Sequence, residues 1–257
     1  MRNLKVMMAF RGTRYHGFQR QSNAYTIQEA VEDALSKLLN EPVTIYGCSR
    51  TDTGVHANGY CFSLQTEKPI LPRNFIRGAC GYLPDDISIL SVEDVPEDFH
   101  ARYSCIGKEY LYRIHNSESK NPFTTDLALL YRRKLDVSLL REAASYFVGT
   151  HDFASFCTNC TKEKNTIRTI SDITIEKDKN AVNVLVKGDG FLYNMVRILV
   201  GTLLGVNEGR FELSDLDGIL AARNRLCAGI TAQPHGLYLN RIFYEEPSAL
   251  HTRKENF

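Results

Sequence analysis

Hydrophobic period constrains this chain most, because it switches from two residues to 3.6 and back in a repeating order. Leu4, Val6, Met8 and Phe10 alternate as one buried strand face requires, and Ile27, Ala30, Val31, Ala34, Leu35, Leu38 and Leu39 then share one helical face. Thr26 and Glu29 supply a capping box ahead of that helix. Val43 to Tyr46 is rich in β formers, Tyr60, Phe62 and Leu64 alternate with Cys61, Ser63 and Gln65, a shorter helix is expected from about Arg73 to Tyr82, and a strand over Ile87 to Val95.

The second half opens with a strand from Lys108 to His115. A helix through Leu139, Leu140, Ala143, Ala144 and Phe147 leads to a polar stretch, Cys157 to Thr169. A hairpin follows, Ile170 to Glu176 and Ala181 to Gly188, turned at Asp178-Lys179-Asn180. A long helix from Asn194 to about Asn207, a short one capped by Ser214, and a strand from Leu237 to Tyr244 complete the pattern. Both halves mix hairpin strands with helices on one side, which predicts an α+β protein of two similar halves, 1–104 and 105–245, sharing a sheet. Residues 246–257 are expected to be a frayed tail.

The length supports a substantial core without disulfide staples. With 31 Lys and Arg against 30 Asp and Glu, the net charge of +1 excludes an overall polycation, so a nucleic-acid partner must be met by a local basic patch. Seven cysteines lack the spacing of a disulfide framework and fit reduced thiols in the cytoplasm. Cys157-Thr-Asn-Cys160 is a lone CxxC, so no metal centre is expected. Neither a signal peptide nor a membrane span is expected.

Chemistry is expected on the turn from Cys48 to His56, which hangs between two strand-like segments. It carries Asp52, with Arg50 beside it to favour the ionised form, and Gly54 for a positive φ. An ionised, partly desolvated carboxylate can act as nucleophile or base, although Thr-Asp-x-Gly also suits a plain Asx-turn. Arg197 lies in Met195-Val196-Arg197-Ile198-Leu199-Val200, an apolar run in which a guanidinium needs either a route to water or an anionic partner. An Asp52–Arg197 pair satisfies both residues. Gly201 and Gly205 on the same helix suggest close packing against the sheet.

Tyr110 and Tyr112 share one strand face, as core contacts or as a platform for a base. Near the N-terminus, Arg11, Arg14, Tyr15, His16, Phe18, Gln19, Arg20 and Gln21 interleave basic, aromatic and amide groups, a mixture that suits either a solvated loop or contacts to phosphates and unstacked bases. Asp98-Phe99-His100-Ala101-Arg102 is a further polar cluster with no evident purpose.

Six motifs taken together closely resemble the TruA family of tRNA pseudouridine synthases, from about Leu4 to Glu245. They are Tyr15-x-Gly17-Phe18-Gln19-x-Gln21, Arg50-Thr51-Asp52-x-Gly54-Val55-His56, Asp98-Phe99-His100-Ala101-Arg102, Tyr110-x-Tyr112, Asn194-Met195-Val196-Arg197 and Gly236-Leu237-Tyr238-Leu239. The resemblance implies two ferredoxin-like halves with pseudo-twofold symmetry about a central antiparallel sheet, with the active-site cleft between them. It further implies a homodimer that needs no cofactor and acts on uridines 38, 39 and 40 in the tRNA anticodon arm.

By that resemblance Asp52 is the catalytic aspartate, Arg197 its partner, Tyr110 the tyrosine packed on the target base, and Arg50 the arginine that enters the stack as the base flips. Leu237 is an apolar pocket residue, and Arg14, Gln19, His56 and Arg102 are expected at the substrate. Ser49 stands where the family usually has Gly, Thr53 where Ala is common, Phe18 where Trp is common, and Gln233 where Pro is frequent. The alternatives are the same chemistry at another RNA position and a non-catalytic RNA-binding module of the same fold.

Overall fold

The alternation at Leu4, Val6, Met8 and Phe10 becomes β1 (Arg2–Phe10), with those four side chains buried and Lys5, Met7 and Ala9 half-buried. The computed structural model describes residues 1–160 and 165–244, so the expected tail lies outside the described residues. Helix α1 (Ile27–Leu39) starts where Thr26 accepts the Glu29 N–H and stops at Asn40, in the left-handed region at φ 51°. The expected strand over Val43 to Tyr46 shrinks to β2 (Tyr46–Gly47). Its donors are used elsewhere: the Val43 N–H bonds Ser36 Oγ and the Ile45 N–H bonds the Glu32 carboxylate, both on α1. Strand β3 (His56–Thr66), helix α2 (Pro72–Cys80) and strand β4 (Ile87–Val95) finish the first half.

The second half runs β5 (Cys105–Asn116), β6 (Leu129–Tyr131), α3 (Val137–Ser145), β7 (Gly149–Asp152), β8 (Ile167–Asp178), β9 (Ala181–Gly188), α4 (Met195–Asn207), α5 (Asp215–Ala221) and β10 (Leu237–Tyr244). The hairpin turns through Lys179, at φ 51°. Two expectations need correction. Ser214 makes no cap bond; Asp215 instead accepts the Glu212 N–H. Gly201 and Gly205 pack against other loops and not against the sheet: a Cβ on Gly201 would lie 1.8 Å from the Ile230 carbonyl oxygen, and one on Gly205 would strike the Phe211 ring. Strands β6 and β7, of three and four residues, are too short to have shown a period.

The main sheet follows the order β4-β1-β3-β10-β5-β9-β8-β7, with β2 on β3 and β6 on β5. Each half therefore lays its βαββαβ strands in the ferredoxin-like order: β4-β1-β3-β2 in the first, β10-β5-β9-β8 in the second. The fold is α+β around one large, mostly antiparallel sheet. The halves repeat in the same sense across it, so they meet through a parallel pairing in which Tyr238 faces His56 and Leu239 faces Ala57. That join decides where the site lies. It brings the turn before β3 to the start of β10, whose Leu237 and Leu239 pair antiparallel with Tyr112 and Tyr110 of β5. Among the described residues no helix is long and apolar enough to cross a membrane.

Candidate active site

The loop between β2 and β3 is held from several sides before any side chain is considered. The Phe18 N–H bonds the Thr51 carbonyl, Gly54 N–H bonds the Tyr15 carbonyl, and Val55 N–H closes back on the Asp52 carbonyl. Gly17 (φ 83°) comes so close that a Cβ there would sit 2.4 Å from the Thr51 carbonyl oxygen, which only glycine permits. Gly54 has the positive φ expected of it, 77°. His56 fixes the far end: Nδ1 accepts the Gly12 N–H at 3.0 Å, which leaves Nε2–H to donate to the His235 carbonyl at 3.1 Å. Burial pulls its pKa down to about 4 and keeps the ring neutral.

Asp52 emerges from this fixed turn toward α4. Its Oδ2 accepts from Arg197 Nη1 at 3.3 Å, so the sequence-expected pair forms, between side chains only 26% and 14% exposed. Arg197 is the third residue of α4 and is anchored independently of the acid. Its Nη1 also donates to Asn194 Oδ1 at 2.7 Å, its Nε to the Ala232 carbonyl at 2.7 Å, and the Ala232 N–H returns to the Arg197 carbonyl. Burial raises the Asp52 pKa, opposed by the charge and hydrogen bond of Arg197. Arg50 was expected to favour ionisation; it is exposed and makes no ion pair or side-chain hydrogen bond among the described residues. Desolvation thus outweighs attraction at this carboxylate, and among the described residues the cation opposing it is Arg197. Thr51 Oγ1, beside it in sequence, is buried without a hydrogen-bond partner among the described residues.

Asp52 lines a cleft of about 1020 Å³. Tyr110 and Leu237 line it too, placed there by the β5–β10 pairing. The Tyr110 ring is buried edge-on to Phe191, centroids 5.0 Å apart, and burial pushes its phenol pKa up. Tyr112, on the same strand face, is core: fully buried, its hydroxyl donates to the Gln233 carbonyl at 2.7 Å. Of the charged side chains lining the cleft among the described residues, five are cationic (Arg20, Arg50, Arg102, Lys108 and Arg168) and one is a carboxylate, Asp52. Arg20 is ion-paired with Glu29, Glu32 and Asp33, so the positive charge gathered around the acid comes from Arg50, Arg102, Lys108 and Arg168.

The N-terminal loop divides. His16, Phe18, Gln19, Arg20 and Gln21 line the cleft, whereas Arg14 stands outside it, 3.9 Å from Asp86. His56, expected at the substrate, is instead fully buried with both ring nitrogens engaged, so its work is to pin the turn. Phe18 stacks on Tyr60 at 4.3 Å, and the Tyr60 hydroxyl holds the Ser49 carbonyl from below. Sequence reasoning missed Phe191 and the Lys108 ammonium, whose Nζ donates to Ser49 Oγ at 3.1 Å. Lys108 shares a strand face with Tyr110, the period-two signal that could have found it. Among the described residues no three His, Cys, Asp or Glu side chains gather as metal ligands.

A family model described as tRNA pseudouridine synthase matches residues 6–104 and 143–245, which takes in most of both halves, with Asp52 and Arg197, and passes over β5 with Lys108 and Tyr110. The chain belongs to the TruA family of tRNA pseudouridine synthases. It is similar to tRNA pseudouridine synthase A of Ruminiclostridium cellulolyticum, 44% identical over 95% of this chain and 100% of that one. The protein of the same name from Acetivibrio thermocellus is 42% identical over the same shares. tRNA pseudouridine synthase A 2 of Clostridium perfringens is also 42% identical, again over 95% and 100%. A chain from a crystal structure of a Cbf5-Nop10-Gar1 complex overlaps 94% of this one and is half covered itself, at 13% identity and a TM-score of 0.39, too loosely to add to the family assignment.

Proposed function

We propose that the protein isomerises uridine to pseudouridine in tRNA, at positions 38, 39 and 40 of the anticodon arm, with Asp52 as the reacting acid. The observation that carries this reading is the Asp52–Arg197 pair, half-desolvated in a cleft whose other charged side chains, among the described residues, are cationic. A binding module needs the cations; it does not need a carboxylate that repels phosphate.

The reaction breaks the N1–C1′ bond, turns the uracil and rejoins it through C5, with no redox change and no added atoms, so no cofactor is required. The target must leave the stack, which costs a few kcal/mol, and Arg50, exposed and unpaired at the cleft, fills the vacated place. Asp52 then attacks C1′ as a glycosidase carboxylate would, or takes the C2′ proton. Arg197, fixed by Asn194 and Ala232, holds the acid charged in one rotamer without needing reorganisation. Tyr110 packs on the uracil, backed by Phe191, and Leu237 closes the apolar side. Gln19 and Arg102 contact the RNA from the cleft walls. The working form is a cytoplasmic homodimer.

The decisive experiment maps pseudouridine in unmodified tRNA transcripts incubated with the protein without added metal. Product at 38 to 40 is expected; product elsewhere transfers the chemistry to another site, and a metal requirement removes the cofactor-free scheme. Uridine carrying deuterium at C2′ separates the two roles of Asp52: a primary isotope effect identifies proton removal, its absence direct attack.

A further inference from the structure

The segment Asp98 to Arg102 has a second life once folded. Phe99 and Ala101 point inward: the Phe99 ring meets Tyr244 at 5.1 Å, and Ala101 is fully buried, its N–H on Ser63 Oγ and its carbonyl accepting the Tyr244 hydroxyl at 2.7 Å. His100, Arg102 and the following Tyr103 are therefore carried on a turn bolted to β3 and β10. The turn is also closed on itself. His100 N–H bonds Ser104 Oγ, Ser104 N–H bonds the His100 carbonyl, and His100 Nδ1 accepts the Arg102 N–H at 3.1 Å.

Two rings of this turn and the Tyr46 ring of β2 form a tilted ladder at the wall of the cleft. Tyr46 and His100 lie 5.4 Å apart between centroids, His100 and Tyr103 4.4 Å, and the Arg102 guanidinium sits 5.8 Å from the centre of the Tyr103 ring. All four residues line the cleft. The ladder is open to water: Tyr103 is 77% exposed and Tyr46 49%. Large rings left wet at the edge of a cationic groove, on a turn already rigid, lose little entropy when a flat partner lands on them. The surrounding charge selects a polyanion, and the π-faces beside a guanidinium suit an unstacked base.

We propose that Tyr46, His100 and Tyr103, with Arg102, form a second base-binding subsite that stacks an unpaired nucleobase next to the target uridine. This subsite rests on the cleft being an RNA site, and deepens that reading by naming where a flanking nucleotide is held. It lies apart from Tyr110, which is buried and reserved for the reacting base.

The test uses full-length protein and two probes, an anticodon-arm hairpin and a single-stranded RNA octamer, each carrying 2-aminopurine at successive positions. One position should be quenched on binding by the wild type. Tyr103→Ala should weaken binding about tenfold and abolish that quenching, while Tyr103→Phe, which keeps the ring, stays within about twofold. Removing the base at the responding position should weaken the wild type and leave Tyr103→Ala unaffected. Equal affinity of wild type and Tyr103→Ala overturns the proposal, as does a loss that persists equally with the abasic RNA. A changed sedimentation coefficient with unchanged RNA affinity also overturns it, marking the ladder as a contact between copies. If the quenching pattern holds while wild-type protein makes no pseudouridine in the transcripts, the subsite stands and the catalytic reading falls.

Discussion

Asp52 and His56 stand four residues apart on one turn, and both are polar groups withdrawn from water, yet the fold treats them in opposite ways. His56 has each ring nitrogen matched to a backbone group and no exposed surface. Asp52 has a single long contact, 3.3 Å to Arg197, and an open side toward the cleft. In both, burial moves the pKa toward the neutral form. A buried polar group whose capacity is saturated by the fold is serving the fold; one left undersatisfied against a cavity is held in reserve for something that enters.

The largest effect expected from breaking this contrast is on Asp52. Asp52→Asn should cut pseudouridine formation by at least about 10³-fold, with tRNA affinity kept within a few-fold, as read by single-turnover assays and filter binding. Retained turnover would strip the acid of its role. His56→Ala should do the reverse. Leaving the Gly12 N–H and the His235 carbonyl unpaired should lower stability by about 3 kcal/mol in urea titrations, with a smaller loss of turnover per folded molecule. A variant as stable as the wild type would show that the turn does not depend on its pin.

Acid sharpens the same contrast. The folded pKa of His56, about 4, lies below its unfolded value near 6.5, so the unfolded chain binds the extra proton first. Stability from this group is whole above pH 6.5 and falls progressively as the pH drops toward 4. At pH 5 the wild type should have lost roughly 2 kcal/mol relative to pH 7.5, and His56→Asn should lose measurably less. The smallest effect is on the pH profile. Because Asp52 must be ionised and its pKa is raised, the acid limb of kcat/KM should lie above the ordinary carboxylate range near 4. Arg197→Gln removes the charge opposing desolvation, so the limb should move further up; a downward move would mean the guanidinium does not act on Asp52.

Much of this was legible from period and composition. Strands and helices with seven or more patterned residues were placed to within a few residues, because a face buried along its whole length must repeat in sequence. The Asp52–Arg197 pair was legible for another reason: a guanidinium in an apolar helix has few stable solutions, and an acid is one of them. The strand over Val43 to Tyr46 failed because side chains on α1 satisfied its backbone donors, a choice that propensity does not see. Arg50 was credited with ionising its neighbour in sequence, but two residues apart on a turn is not the same as facing one another.

By itself, then, the sequence determined the order of the longer elements, the covered faces, the family, and the pairing of Asp52 with Arg197. The elements and faces follow from local periods, the family from six ordered motifs, and the acid's pairing from a guanidinium that fits badly where it stands. Only the tertiary structure decided that His56 is a pin, that Arg14 lies outside the cleft, that among the described residues cations of a near-neutral chain gather around one carboxylate, and that an inert-looking polar motif carries part of an aromatic ladder. Those outcomes depend on the parallel join of β3 with β10, a pairing between strands some 180 residues apart, and contact at that distance is written in no local pattern.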